Sequence, residues 1–376
     1  MKVSILAFDL SDNATGRAEL LARLLRPRYE VEVVGPRFGD DVWGPARKSE
    51  TAYRAVPAGR YPGFARAARE IVALADGDIL YASKLRPTSY GLGLLARARR
   101  RRPLVLDVDD WELGFFQRGG FWGRLGRAVN VSNPNGLPWT WLVERLRERA
   151  DAVTVASRFL ERRYGGVLVP HVRDTDAWTP ERFDRAAGRA LLGLGGERVV
   201  MFLGTPRAYK GVRHLVDAVG MLAPGVVLAV VGVDPGSPLG EHLQQPWVRT
   251  VAQIAFDDVP RYVVAADVVA VPQLATADTV GQVPAKLFDA MALGRPIVST
   301  AVSMIPEILE GCGVIVAPGD VGALAGALRR LLDDPPEAAR LGRLARARCV
   351  DRYSFTAARA SLFPLFDAVG ARGSRR

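Results

Sequence analysis

Two lysines stand where strand-like runs give way to helices in the second half of the 376-residue chain, and both could hold a phosphate group. Lys210 follows the strand-like run 198–204 and a short turn. Lys286 stands near the start of a helical stretch, 284–293, in which most other side chains are apolar. A helix N-terminus offers free backbone N–H groups and a positive dipole end, which favour an anion. These residue types predict a pyrophosphate site built from two such turns.

Three further residues would complete this site. Gly204 ends the first strand-like run, and Arg207 lies in the turn before Lys210, where it would contact phosphate. Asp289 lies three residues beyond Lys286 and could accept hydrogen bonds from both hydroxyls of a ribose. The alternatives are an ordinary loop with solvated cations and a surface ion pair between Lys286 and Asp289, worth about 0.2–0.5 kcal/mol. The spacing matches neither the Walker loop nor GxGxxG.

An acidic cluster follows the strand-like run 103–108 in the first half of the chain. Asp107 and Asp109 have the Asp-x-Asp spacing that can hold Mg²⁺ through nucleotide phosphates, but this pattern is short and common. We favour a second interpretation, in which Asp109 or Asp110 orients or deprotonates a substrate hydroxyl. Turn and cap carboxylates are the structural alternative. Two cysteines and three histidines show no spacing typical of metal ligands, so no metal site is predicted.

Other candidate contacts lie in loops that follow strand-like runs. Thr15 and Gly16 stand between the first strand and the first helix, where a glycine lets a ligand approach the backbone closely. A simple turn is the alternative there. Lys84 and Arg86 follow another strand and would face the same substrate as Asp109 and Asp110. His171 could line the same side or serve as a structural histidine.

The order of elements predicts two α/β domains, since strand-like and helical segments alternate from end to end. The chain is long enough for two cores. We predict a first domain at 1–175 and a second at 190–354, with a C-terminal helix at 355–372 that returns to the first. Both would be doubly wound and Rossmann-like, with mostly parallel sheets facing a shared cleft. The predicted strands are 3–8, 31–34, 78–82, 103–108, 152–156, 198–204, 226–232, 248–252, 266–272, 296–300 and 313–318.

The formal net charge of +11 suits anionic partners such as nucleic acid, phosphorylated substrates or an acidic membrane surface. We predict no nucleic-acid partner, because no helix-turn-helix, zinc-finger or RRM signature is present. The segment 114–141 mixes aromatic side chains with arginines and could rest on an anionic membrane or admit a lipid-linked acceptor. A lid packed on its own domain is the alternative. With no apolar run near 18 residues, we expect a cytoplasmic protein, at most peripheral at the inner membrane face.

The second half of the chain resembles glycosyltransferase family 4, which has the two-domain GT-B fold. The resemblance rests on GTPRAYKGVRHLVDAV and VPAKLFDAMALGRPIVST; it covers most of 150–355 well and the earlier residues loosely. The family has a Gly-Arg turn, then Lys-Gly, then two Glu separated by seven residues. Here Thr205 replaces the Arg, whose phosphate contact Arg207 would take over. Gly281 replaces the first Glu and Asp289 the second.

The resemblance implies an enzyme that transfers a sugar from a nucleotide-diphosphate sugar to an acceptor hydroxyl with retention of configuration. The acceptor would be a lipid-linked glycan, a cell-envelope glycan or a small molecule. Lys210 would stabilise the charge that grows on the departing diphosphate. No metal and no further cofactor are expected, and two doubly wound domains favour GT-B over the Asp-x-Asp fold, GT-A. A non-catalytic protein that binds nucleotide sugars or polyanions is the alternative.

Overall fold

The chain divides into two compact units, and we describe each by itself. Unit 1 comprises Met1–Pro170 together with Ala358–Arg376, and unit 2 comprises His171–Ala357. The residues 176–189, which the predicted boundaries left between the domains, belong to unit 2. The computed structural model describes residues 1–117, 126–127, 129–222, 224–233, 240–277 and 279–373.

The described residues of unit 1 form a seven-stranded parallel sheet with the strand order β3-β2-β1-β4-β5-β6-β7. The order reverses at β1, so the carboxyl ends of β1 and β4 flank a topological switch point, where ligands bind in such sheets. The strands are β1 Lys2–Leu6, β2 Glu30–Arg37, β3 Ala52–Pro57, β4 Ile79–Ser83, β5 Leu104–Val108, β6 Ala152–Val155 and β7 Val167–Leu168. The helices before the crossover are α1 Thr15–Leu25, α2 Phe64–Leu74, α3 Leu92–Arg100, α4 Leu137–Arg145 and α5 Arg158–Tyr164.

The described residues of unit 2 form a six-stranded parallel sheet with the order β10-β9-β8-β11-β12-β13. Its switch point lies between β8 and β11. The strands are β8 Arg198–Leu203, β9 Val226–Val233, β10 Val248–Ala252, β11 Val268–Val271, β12 Ile297–Thr300 and β13 Val314–Val316. The helices of unit 2 are α6 Arg185–Leu191, α7 Val212–Gly220, α8 Val259–Val263, α9 Ala285–Ala292, α10 Ile305–Leu309, α11 Val321–Asp333 and α12 Pro335–Arg352. The last helix, α13 Phe355–Gly373, begins at the end of unit 2 and lies mostly in unit 1.

Both faces of the unit 2 sheet are buried, as the alternation along β8 shows. Val199 and Met201 belong to one apolar cluster, and Val200 and Phe202 belong to the other. Successive side chains of a strand point to opposite faces, so a strand buried on both sides is apolar throughout. Helices therefore cover both faces, and the prediction of doubly wound Rossmann-like domains is confirmed.

Helix α13 carries the chain back onto unit 1. Phe366 is fully buried and its ring centroid lies 5.1 Å from that of Tyr81 in β4. The Tyr29 hydroxyl donates a 2.8 Å hydrogen bond to Asp367, and Arg359 donates to the last carbonyls of α1. Unit 1 therefore consists of two pieces of chain separated by the whole of unit 2.

Across the described part of the chain, the helices are too short or too polar to cross a membrane.

Candidate active site

The turn after β8 places Lys210 beside Gly204. Gly204 and Gly211 both have left-handed backbone conformations, with φ of +87° and +68°. A side chain at Gly211 would put its Cβ 1.8 Å from the carbonyl oxygen of Pro272, so only glycine fits there. The Lys210 ammonium donates a 2.7 Å hydrogen bond to the backbone carbonyl of Thr205. This bond folds the lysine back over the turn instead of leaving it extended in solvent.

Lys286, in the first turn of α9, brings a second ammonium group to the same turn. Its Nζ is buried and has no hydrogen-bond partner among the described residues. It lies 3.7 Å from the ring centroid of Phe202, and a Cβ built on Gly204 would also lie 3.7 Å from it. Burial, and then the charge of Lys210, hold the pKa of Lys286 well below its ordinary range. The two lysines are therefore close enough to repel each other.

Asp289 pairs with Arg173 and not with Lys286. Arg173 is 6% exposed; its Nε donates to Asp289 Oδ1, and its Nη2 donates a 3.0 Å bond to the Ala285 carbonyl. Asp289 is 8% exposed, so this is a buried ion pair that fixes the first turns of α9. The Asp289 carboxylate is paired with Arg173; its charge opposes the lowering of the Lys286 pKa, but burial and the charge of Lys210 outweigh it. The interpretation of Lys286 and Asp289 as a surface ion pair is therefore wrong.

Arg207 has an exposed side chain, and its carbonyl accepts a 2.9 Å hydrogen bond from the Lys210 amide. Its backbone thus supports the turn, while the contact of its guanidinium with phosphate stays a prediction. Gly281 and Thr205, which stand where the family pattern has an acid and an arginine, both lie in unit 2 as well.

In unit 1 an acidic cluster gathers around Lys84 at the carboxyl ends of β4 and β5. The Lys84 ammonium lies 2.7 Å from Asp109 and 2.7 Å from Asp110, and 3.5 Å from Glu112. Arg86 pairs with Glu112 at 2.6 Å. Carboxylate oxygens of the three acids lie within 4.8 Å of one another, a spacing that could hold a metal ion. The lysine ammonium already provides a positive charge at their centre.

The cluster holds three carboxylates, those of Asp109, Asp110 and Glu112, and two cationic side chains, Lys84 and Arg86. Burial raises the pKa of Asp109 to about 7, although the Lys84 ammonium opposes this shift. Burial alone would lower the pKa of Lys84, but the charges of Asp109, Asp110 and Glu112 outweigh it and raise that pKa. Lys84 stays charged, and Asp109 can exchange a proton near neutral pH.

Asp107 does not share a metal site with Asp109. It is fully buried, and Arg17 donates to both of its carboxylate oxygens, at 2.9 and 2.7 Å. Thr154 donates a further 2.7 Å bond to Oδ1. Arg17 also donates to the carbonyl of Val169 at 2.7 Å, so this ion pair holds the end of unit 1 together. The Asp-x-Asp interpretation is wrong because both Asp107 oxygens are already occupied.

Thr15 and Gly16 form the first turn of α1 and not the loop before it. In the turn just before the helix, the Asp12 carboxylate accepts a 2.9 Å bond from the Ala14 amide. Thr15 is fully buried and its hydroxyl donates to the Asp9 carbonyl at 3.0 Å. His171 is half-buried and opens unit 2, whereas Lys84 and Arg86 lie in unit 1.

Two family models match the chain. The model described as "Glycosyl transferase 4-like domain" matches residues 14–175, and the model described as "Glycosyl transferases group 1" matches residues 197–334. A similar protein is the GDP-mannose-dependent alpha-(1-6)-phosphatidylinositol monomannoside mannosyltransferase of Mycolicibacterium smegmatis. It is 29% identical over 309 residues, which are 76% of this chain and 75% of that protein.

Two solved structures share the fold. Sucrose-phosphate synthase from Thermosynechococcus elongatus has a TM-score of 0.76 at 21% identity, over 99% of this chain and 100% of that one. Anabaena HepE, solved in complex with UDP-glucose, has a TM-score of 0.75 at 20% identity, over 98% of this chain and 100% of that one.

The two doubly wound units define the chain as a protein of GT-B fold. The chain belongs to the family 4-like group of glycosyltransferases, so the predicted family is confirmed. It is an enzyme, a glycosyltransferase that uses a nucleotide sugar.

Proposed function

We propose that unit 2 binds the diphosphate of the nucleotide sugar between the turn after β8 and the first turn of α9. The observation that carries this proposal is the buried Lys286 ammonium, which has no hydrogen-bond partner in the described residues and lies beside Gly204. A buried ammonium without a partner is costly, and a phosphate oxygen would satisfy it. Gly204 is exposed, so a ligand can reach the turn.

The local charge balance favours a doubly negative ligand. Lys210 and Lys286 add two positive charges when both are protonated, while Asp289 is neutralised by Arg173. A nucleotide diphosphate at this place would offset both lysine charges. As the glycosidic bond breaks, negative charge grows on the departing diphosphate, and the lysines would stabilise it without a metal ion. We also propose that Asp289 contacts the ribose and that Arg207 contacts a phosphate group.

On the acceptor side we propose that Asp109, with Asp110 beside it, orients or deprotonates the acceptor hydroxyl. Burial brings the pKa of Asp109 to about 7, which suits proton transfer at neutral pH. Lys84 and Arg86 would hold these acids in place, and Gly16 would let a ligand approach the backbone of unit 1. The side chain of Thr15 takes no part, because it is fully buried and its hydroxyl donates to the Asp9 carbonyl. His171 would border a ligand of unit 2. Retention of configuration follows from the family resemblance. The acceptor class we propose is a lipid-linked or cell-envelope glycan, or a small molecule.

Replacing either lysine tests the donor site. We expect Lys210→Ala and Lys286→Met each to reduce sugar transfer and donor affinity by about 10-fold or more, because each removes a charged donor to the diphosphate. UDP-glucose and GDP-mannose are the first donors to assay, since relatives or structural neighbours are named with them. The unmodified enzyme is assayed both without and with a chelator.

Lys48→Ala is the matched control. Lys48 is exposed in unit 1, and its replacement changes the net charge by the same amount as Lys210→Ala or Lys286→Met. Near-normal transfer by Lys210→Ala and Lys286→Met would remove the assignment of the diphosphate site. Loss of activity on addition of the chelator to the unmodified enzyme would remove the proposal that no metal takes part.

We also propose that the enzyme is cytoplasmic and contacts an anionic membrane through the segment 114–141, of which residues 118–125 and 128 lie outside the described residues. Val129, Val131, Trp141 and Leu142 are 67%, 56%, 47% and 43% exposed. Arg145 lies over the Trp141 ring, with 3.8 Å between guanidinium carbon and centroid. Exposed apolar side chains beside cations suit an anionic bilayer surface.

Vesicle sedimentation tests this contact. We expect binding to phosphatidylserine-containing vesicles, weakened by about 10-fold or more in a Trp141→Ser, Leu142→Ser variant, since each buried apolar side chain contributes about 1.5 kcal/mol or more. Met221→Ser, at an exposed apolar position of unit 2, is the control. Equal sedimentation of both variants with the vesicles would argue against the membrane contact.

A further inference from the structure

Gln273 presents a second buried donor group without an acceptor, at the edge of unit 2 that carries the lysines. It follows the last residue of β11 by two positions and is 3% exposed. Within the described ranges its side-chain Nε2 has no hydrogen-bond partner. A buried N–H group without an acceptor destabilises the folded protein, so it is rare in native structures.

Two neighbouring hydroxyl groups donate to backbone carbonyls, and among the described residues neither accepts a hydrogen bond from the Gln273 side chain. The Thr300 hydroxyl donates a 2.5 Å bond to the backbone carbonyl of Gln273. The Ser299 hydroxyl donates a 2.7 Å bond to the carbonyl of Val271, and that carbonyl also accepts from the Gln273 amide N–H at 3.0 Å. The backbone at Gln273 is thus fixed on both sides, while its side-chain N–H groups have no acceptor among the residues that the structure describes.

The same segment packs directly against the turn of Lys210. The Leu274 amide donates a 2.8 Å bond to the carbonyl of Tyr209. On the other side of Gln273, the Pro272 carbonyl oxygen lies so close to Gly211 that no side chain fits there. The residues on either side of Gln273 therefore contact the residues on either side of Lys210. In the sheet, β11 lies next to β8, which leads into this turn.

We propose that Gln273 is a donor-binding residue whose side-chain amide donates a hydrogen bond to an oxygen of the bound nucleotide sugar. This inference rests on the proposed donor site at Lys210 and Lys286. The lysines offer charged donors suited to the diphosphate. The amide adds an uncharged donor at the same edge, and both phosphate and sugar oxygens can accept from it. The ligand thus satisfies a group that the folded protein leaves unsatisfied.

The variant Gln273→Leu separates a ligand-binding role from a structural one. Leucine is similar in size but has no N–H group, so the free protein loses an unsatisfied polar group. We expect its melting temperature without ligand to rise, by about 2–4 °C. We expect its Kd for UDP-glucose or GDP-mannose, whichever the unmodified enzyme binds, to rise about 5- to 10-fold. A purely structural hydrogen bond would instead make the free variant less stable.

The control is Gln244→Leu, which removes an exposed amide of the same unit, before β10. Titration with UDP or GDP alone identifies the contacted part. Equal weakening for the nucleotide and the nucleotide sugar assigns the contact to the nucleotide, and weakening for the nucleotide sugar only assigns it to the sugar. Gln273→Met, which also lacks the N–H groups, is measured in parallel in case the leucine variant does not fold.

Unchanged affinity for all these ligands in the leucine and methionine variants, beside an unmodified enzyme that binds its donor, would overturn the role of Gln273. If the unmodified enzyme binds neither nucleotide sugar nor nucleotide, the proposed donor site itself fails. The two failures are therefore distinguishable in one set of titrations.

Discussion

At the scale of single residues, the choice of lysine over arginine carries information in this chain. Of 51 basic residues only five are lysine, yet two of them meet at the turn after β8. Lys286 lies buried over the Phe202 ring with a lowered pKa, an arrangement that a compact ammonium tolerates because it can lose its proton. A guanidinium keeps its charge and needs several acceptors. Lys84, in unit 1, is also buried, and its ammonium group pairs with the carboxylates of Asp109, Asp110 and Glu112.

The raised pKa of Asp109 predicts how transfer depends on pH. A base must be deprotonated, so with a pKa of about 7 we expect kcat/KM to fall about 10-fold per pH unit as the pH drops below that value. The measurement is a profile of kcat/KM from acid to mildly alkaline pH. In Asp109→Asn, kcat/KM should be low, and its fall at acid pH should be absent. An unchanged acid limb in Asp109→Asn would show that another group titrates.

The residues that hold the candidate site together were beyond sequence reasoning. Arg173 and Asp289 are 116 positions apart, and Arg17 and Asp107 are 90 positions apart. In a chain so rich in arginine, no local pattern marks which arginine will pair with which acid. The sequence could not predict a role for Gln273 either, since only the fold shows which of the described side chains are buried without a hydrogen-bond partner. The two lysines could be predicted because each follows a strand and opens a helix.

At the scale of elements, apolar content decided which strands could be predicted. The four central strands of unit 2, β8, β9, β11 and β12, overlap apolar, β-branched runs that are buried on both faces or nearly so. The missed strands are β3 and β7. The residues of β3, AYRAVP, include an arginine and a proline and are mostly exposed at the edge of the sheet, and β7 has only two residues. Edge strands lack the continuous apolar signal of central ones.

The turn between β8 and α7 depends on one glycine. Gly211→Ala would need a left-handed φ of +68° and a Cβ 1.8 Å from the Pro272 carbonyl, so the turn must move. We expect a loss of more than about 2 kcal/mol in the free energy of unfolding, because the left-handed conformation alone costs a side chain about 1–2 kcal/mol. We also expect weaker donor binding. Urea unfolding and donor titration measure the two effects.

Gly193→Ala is the matched control for this substitution. Gly193 has nearly the same φ, +65°, but a Cβ there would meet nothing within 4 Å. The control should lose about 1 kcal/mol and bind the donor normally. Equal losses of stability in both variants would show that the contact with Pro272 does not constrain the turn.

At the scale of the whole molecule, the alternation of elements was enough to predict two doubly wound domains, and the family resemblance predicted a GT-B glycosyltransferase. The positions at which the chain passes between the two units were harder to predict from the sequence. The chain passes from unit 1 to unit 2 at Pro170 and returns at Ala358. At the first crossing, Arg17 holds the Val169 carbonyl through a buried side chain. Such contacts between distant residues set a domain boundary, and composition alone gives only its approximate position.

The return of α13 has a consequence for the order in which the protein matures. A ribosome makes β1 first and α13 only after all of unit 2, and domains generally fold as they emerge. Unit 2 is an uninterrupted piece of chain, so its sheet can assemble while translation continues. The packing around Tyr81 in β4 can be completed only after Phe366 of α13 has been synthesised, because Phe366 is fully buried against it. The half of the enzyme that is synthesised first is therefore the half that is finished last.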